Sequence, residues 1–113
     1  KTEAAKLLKE AKSIQNAGAF SIVLECISPY AAKLITNNIT IPTIGIGSSS
    51  YCDGQILVTD DMLGFSGFYP KFVKKYANLN SIIAKATKKY TKEVKLNKFP
   101  SKTNFLYGTR NKR

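Results

Sequence analysis

The chain reads as an α/β protein built on parallel strands, and three observations support that reading. Two short apolar runs rich in β-branched residues, at 20–25 (Phe-Ser-Ile-Val-Leu-Glu) and 41–47 (Ile-Pro-Thr-Ile-Gly-Ile-Gly), each follow a segment of helical spacing. The runs are continuous rather than alternating, which suits strands covered on both faces. Each ends abruptly, one in Glu25 and the other in glycine and serine. Endings of that kind sit at the C-terminal edge of an α/β sheet, where such folds place their chemistry.

Composition narrows the class. At 113 residues the chain is one domain or part of one. With 43% apolar and 22% charged residues it has the make-up of a globular protein rather than a disordered one. No run approaches the roughly 18 apolar residues of a membrane span, and no secretory leader is recognisable. The only methionine is Met62, and Lys1 already belongs to a helical pattern. The expectation is therefore a fragment or processed piece whose natural start is missing. Cys26 and Cys52 are too few for a disulfide framework and suit reduced thiols in a cytoplasmic protein. With no histidine anywhere, a zinc site or a Cys-His nucleophile pair is not expected within the chain.

Charge is unevenly spread. The formal net charge is +11, and of the 18 basic residues 13 lie from Lys71 onward against a single acid there, Glu93. Such a field attracts nucleic acid, anionic membrane or acidic substrates. By itself it specifies none of them, and a solvated basic surface is the simpler account.

Taken in order, Ala4, Ala5, Leu7, Leu8, Ala11, Ile14 and Ala17 recur at three- and four-residue steps and predict a helix opening at Lys1 or Thr2. Lys6, Lys9, Glu10 and Lys12 fill its other face, and Gly18 closes it as a C-cap. Residues 20–24 are the first strand. Ser28 caps a second helix with Pro29 at its first position, Ala31, Ala32, Leu34 and Ile35 supply its buried side, and Asn37 and Asn38 end it. A second strand follows at 43–46. Strand, helix and strand joined by short loops make a βαβ unit, which requires parallel pairing and a right-handed crossover.

Gly45 and Gly47 flank Ile46, and three serines, 48–50, follow. Such a loop lets backbone approach a ligand and offers N–H donors. It lacks the lysine of a P-loop and the spacing of a dinucleotide fingerprint, and a tight βα turn explains it equally well. Tyr51 to Gly54 reads as a turn and 55–58 as a third strand. Thr59 is expected to cap a short helix carrying Asp60 and Asp61 at the positive end of its dipole, with Gly64 soon after. Pro70 then opens a further helix through Tyr76, with Phe72, Val73 and Tyr76 on one face. Leu79, Ile82, Ile83, Ala86, Tyr90 and Val94 mark the last long helix. Its Lys85, Lys88, Lys89, Lys92 and Lys95 fall mostly on the solvent side. Residues 1–98 are thus a structured portion, and 99–113, from Phe99-Pro100 to Arg110–Arg113, a polar, loose tail. Three strands cannot close a sheet, and a (β/α)8 barrel needs about 250 residues. The pattern fits the last three βα units of one.

Four stretches, in this order and spacing, make the chain similar to a known family. They are 17–26 (Ala-Gly-Ala-Phe-Ser-Ile-Val-Leu-Glu-Cys), 41–47, 52–58 (Cys-Asp-Gly-Gln-Ile-Leu-Val) and 61–64 (Asp-Met-Leu-Gly). Together with Pro70-Lys71-Phe72 and the late Phe99-Pro100, they resemble the C-terminal part of ketopantoate hydroxymethyltransferase. The likeness runs from about Glu3 to Phe105 and covers somewhat under half of the family's usual length. It implies a (β/α)8 barrel of the phosphoenolpyruvate/pyruvate superfamily, assembled as a decamer. It also implies transfer of a hydroxymethyl group from 5,10-methylenetetrahydrofolate to 3-methyl-2-oxobutanoate, giving 2-dehydropantoate, with Mg2+ binding the keto acid. Glu25 matches the family's proton acceptor, and the Gly45-Ile46-Gly47 backbone would line the substrate pocket. Ser48-Ser49-Ser50 departs from the Ala-Gly usually found there. The family's metal ligands come from earlier strands, and Asp53, Asp60 and Asp61 do not match them, so no metal ligand is expected in this chain.

The chemistry of the match is coherent. Taking a proton from carbon beside a ketone needs a base at the strand mouth, and a partly buried carboxylate is a stronger base. Without the resemblance, Glu25 reads as one half of a strand-end ion pair with lysine. Two other functions stand beside the enzyme reading: a basic nucleic-acid-binding module using residues 71–113, although no recognised motif appears there, and a non-catalytic half-barrel remnant. Alone, the chain is expected to be inactive.

Overall fold

The computed structural model describes residues 2–106, so the loose end expected at 110–113 lies outside the described residues. The elements are α1 (Thr2–Asn16), β1 (Ile22–Glu25), α2 (Pro29–Thr36), β2 (Thr43–Ile46), β3 (Gly54–Gln55), α3 (Thr59–Leu63) and α4 (Leu79–Lys95). A 3-10 turn follows at Lys102–Asn104. The three strands form one parallel sheet in the order β1-β2-β3. The βαβ unit read from the sequence is therefore present, with α2 as its crossover.

Helices α1 and α2 pack against one face of this sheet. The alternation of β1 and β2 sends Leu24, Thr43 and the Cα of Gly45 toward them, all buried. Ala11, Leu24, Ala32, Ile35 and Cys52 form the core, with Leu7, Leu8, Ile22, Ile27 and Ile39 packed around it. Small alanines at 11, 31 and 32 let the helix backbones approach closely. Ser28 caps α2 as expected: its hydroxyl accepts the Ala31 N–H at 3.2 Å, and Pro29 fills the first helical position. Gly18, at φ +96°, turns the chain out of α1.

A polar cluster centred on one buried hydroxyl ties the N-terminal end of the sheet. Thr43, fully buried, donates its backbone N–H to Asp53 Oδ2 at 2.8 Å and its hydroxyl to the same oxygen at 3.0 Å. In return the Asp53 N–H donates to Thr43 Oγ1 at 3.1 Å. With Thr43's proton committed to the carboxylate, the hydroxyl of Thr36, 2.9 Å away, is left as the donor to Thr43. These bonds set the depth at which β3 enters beside β2. Thr43 holds the Asp53 carboxyl below its ordinary range, its N–H contributing most and its hydroxyl next.

The remaining elements depart from the sequence reading in four places. The first strand begins at Ile22 rather than Phe20, because pairing starts where the Ile22 N–H reaches the Pro42 carbonyl at 3.0 Å; Phe20 is 89% exposed. The third strand covers Gly54–Gln55 instead of 55–58: these two residues pair in register with Ile44 and Gly45, and the ladder ends with the Ile56 N–H on the Gly45 carbonyl at 3.0 Å. Thr59 lies inside α3 and does not cap it; Val58 holds the cap position with no side-chain bond. The helix expected from Pro70 to Tyr76 is a single turn, closed by the Val73 N–H on the Pro70 carbonyl. The Tyr76 N–H instead donates to the Met62 carbonyl at 2.9 Å, anchoring the segment to α3 rather than to its own preceding turn. Helix α4 forms where periodicity places it, capped by Asn78, but none of its residues is buried. Its apolar positions Ile82, Ile83, Tyr90 and Val94 are exposed along with its lysines.

Candidate active site

Glu25 is the last residue of β1, and its register partner is Ile46, the last residue of β2. The carboxylate-bearing strand end and the Gly45-Ile46-Gly47 loop therefore lie at the same C-terminal rim. Strand alternation puts Val23 and Glu25 on the face turned away from α1 and α2, together with Ile44 and Ile46. In a barrel this face is the interior. Here it is open: Val23 is 56% exposed, and Glu25 is exposed too, not partly buried as its proposed chemistry led one to expect. The reason is that nothing among the described residues covers that face. Among the described residues no lysine pairs with Glu25; the ion pairs there join Lys6 to Glu10 and Lys89 to Glu93, both at 3.9 Å.

The residues beyond Glu25 are fastened to the neighbouring strand. The Cys26 N–H donates to the Ile46 carbonyl at 2.9 Å, and Cys26 adopts φ +54°, a left-handed turn that sends the chain into α2. Ser48, buried, completes the attachment. Its hydroxyl donates to the Leu24 carbonyl at 2.5 Å and accepts the Ile27 N–H at 3.4 Å. Glu25 thus sits in a four-residue segment held at three backbone points to β2 and its loop. The sequence reading passed over Ser48 as one of a serine run; a small hydroxyl residue directly after a strand-end Gly-Ile-Gly was the available signal.

The two glycines of that loop each have a packing reason. A Cβ on Gly45 would lie 2.9 Å from the Cys52 sulfur and 3.0 Å from the Gln55 side-chain amide. Gly47 has φ +64°, and a Cβ there would meet the Phe72 ring at 2.8 Å. Phe72 thereby lays the segment after α3 across the rim. Lys75 stands over the Tyr69 ring at 4.3 Å and Lys74 over Tyr76 at 5.1 Å, and Lys74 lines the same cleft as Gly47. Cys52 is buried beneath Gly45, and burial raises its thiol pKa above the ordinary value despite a bond to Thr43. Cys26 is exposed beside Glu25. Among the described residues no three His, Cys, Asp or Glu side chains converge, so they do not fit a metal ion. No helix of the described residues is long and apolar enough to cross a membrane.

Residues 1–102 match the family model of ketopantoate hydroxymethyltransferase. The chain belongs to this family. The family comprises hydroxymethyltransferases of pantothenate biosynthesis. Over 98 residues the chain is 56% identical to a 3-methyl-2-oxobutanoate hydroxymethyltransferase of Clostridium botulinum, covering 86% of this chain and 36% of that relative. An Enterococcus faecalis protein of the same name is 58% identical over 100 residues, 87% of this chain and 36% of the relative. One from Syntrophomonas wolfei is 50% identical over 99 residues, with 87% and 36% covered. The chain therefore spans about a third of the length of the curated relatives it matches.

Proposed function

We propose that this chain supplies the C-terminal βα units of a ketopantoate hydroxymethyltransferase and that Glu25 is its general base. One observation supports this above the others: a carboxylate with no ion-pair partner among the described residues stands at the C-terminal end of a parallel strand, in register with Ile46 of the Gly45-Ile46-Gly47 loop, on the face away from the helices. The substrate is 3-methyl-2-oxobutanoate. Glu25 takes the proton from the carbon next to its ketone, and the resulting enolate carbon attacks the one-carbon unit of 5,10-methylenetetrahydrofolate. Hydrolytic release leaves 2-dehydropantoate and tetrahydrofolate. The backbone of residues 45–47 lines the pocket beside the reacting carbon. Mg2+ would be held by residues outside this chain, and the chain alone is inactive. The complete enzyme is a cytoplasmic homo-oligomer, a decamer.

The test uses a chimera in which residues 3–100 replace the matching segment of the Clostridium botulinum relative, 56% identical to this chain. Glu25→Gln should lower turnover by about 10²–10⁴-fold, the range for loss of a general base. Exchange of the substrate's acidic hydrogen into D2O should fall in parallel while the thermal midpoint stays put. Near-normal turnover in that variant removes Glu25 from the mechanism.

A further inference from the structure

We infer that Ser48 is a positioning residue: its hydroxyl clasps the backbone on both sides of Glu25 and Cys26 and so fixes where the strand-end carboxylate stands. The inference rests on the reading of Glu25 as general base and adds a second residue to it. A base takes a proton only from within hydrogen-bond reach, so the main chain that carries it must be held closely in place. Glu25 is exposed, and no ion pair among the described residues steadies its side chain. Its position therefore depends on its own backbone. The residue after it, Cys26, is left-handed at φ +54°. A residue other than glycine keeps that costly conformation only where its surroundings impose it.

Ile46 and Ser48 impose it here. The Cys26 N–H donates to the Ile46 carbonyl at 2.9 Å, where the register of β1 and β2 ends. Gly47 follows, itself left-handed at φ +64°, and then Ser48. Its side chain takes over from the ladder: the hydroxyl donates to the Leu24 carbonyl at 2.5 Å and accepts the Ile27 N–H at 3.4 Å. One oxygen thus bonds the residue before Glu25 and the residue after Cys26, spanning the left-handed turn from end to end. Ser48 is buried, so removing its hydroxyl leaves the Ile27 N–H without that acceptor in a place water does not readily reach. The segment 24–27 is then free to drift from the loop and carry the carboxylate with it. The neighbouring serine has no such reach: the Ser49 hydroxyl accepts the Tyr51 N–H at 3.3 Å, within its own loop.

The experiment uses the chimera that carries residues 3–100. Ser48→Ala should lower kcat, and exchange of the substrate's acidic hydrogen into D2O, by about tenfold, short of the roughly 10²-fold that a misplacement of about 1 Å can cost. KM for 3-methyl-2-oxobutanoate should stay within about twofold, because no group that binds the substrate is removed. Ser49→Ala should leave both constants unchanged. Since Ser48 acts through Glu25, Ser48→Ala should add little to the loss that Glu25→Gln causes by itself. Native turnover in Ser48→Ala, a raised KM at unchanged kcat, or a further loss of about tenfold on top of Glu25→Gln overturns the proposal. Should the alanine variant not fold, Ser48→Cys keeps the shape with only a weak donor and must show the same loss. The two readings fail separately. Near-normal turnover in Glu25→Gln removes the general base and the clasp's purpose with it, whereas a crippled Glu25→Gln beside an unaffected Ser48→Ala removes the clasp alone.

Discussion

Replacing Thr43 by valine isolates the polar cluster at the base of the sheet. Valine keeps the β-branched shape and the strand preference, so only the hydroxyl is lost. Thr43 is fully buried, and besides its bond to the Cys52 thiol that hydroxyl bonds Asp53 Oδ2, the Asp53 N–H and Thr36 Oγ1. At about 1 kcal/mol net for each, with extra cost for donors left unpaired, the loss is about 2–4 kcal/mol. Urea unfolding of the chain, followed by circular dichroism, should show a lower midpoint at unchanged slope. A loss under about 0.5 kcal/mol, below even a single hydrogen bond, would refute the claim that this cluster anchors β3. The pH dependence gives a second check. Asp53 has a lowered folded pKa, so its stabilisation is complete above the unfolded carboxyl's value and disappears as pH falls through the folded one. The stability gap between the native chain and Asp53→Asn should therefore close in acid, with the change confined to that window.

Gly64 and Gly47 both have positive φ, yet their alanine variants should differ. At Gly64 the new methyl would stand 2.5 Å from the Ala77 carbonyl oxygen, which is backbone, so the cost should exceed the roughly 1–2 kcal/mol of a left-handed alanine. At Gly47 the obstacle is the Phe72 ring, which can swing aside, and Phe72→Ala should recover part of the loss; thermal midpoints compare the two. Maleimide should label exposed Cys26 well before buried Cys52, whose raised pKa withholds thiolate, and peptide mapping after short exposure reads the order. Ser28→Ala should cost about 1 kcal/mol, the worth of an N-cap, in the same urea experiment.

Local rules alone located most elements. Helical spacing marked α1 and α4, Ser28-Pro29 marked the start of α2, and the β-branched run at 43–46 coincides with β2. These features depend on neighbours three or four residues away, or on a side chain reaching its own backbone, and a sequence displays such relations directly. The position of Glu25 at a strand end was legible for the same reason. What tertiary structure decided were the relations between distant segments. It set the start of β1 through a bond to Pro42, ended the β3 ladder at the Ile56 N–H on Gly45, and gave the Tyr76 amide to Met62 instead of a helix. It also joined Thr43 to Asp53 and Ser48 to Leu24. Each of these turns on which backbone group lies nearest in space, and spacing along the chain carries no record of that. The exposure of Glu25 was illegible too, because burial of a strand end depends on what packs over it in space, which local spacing does not record.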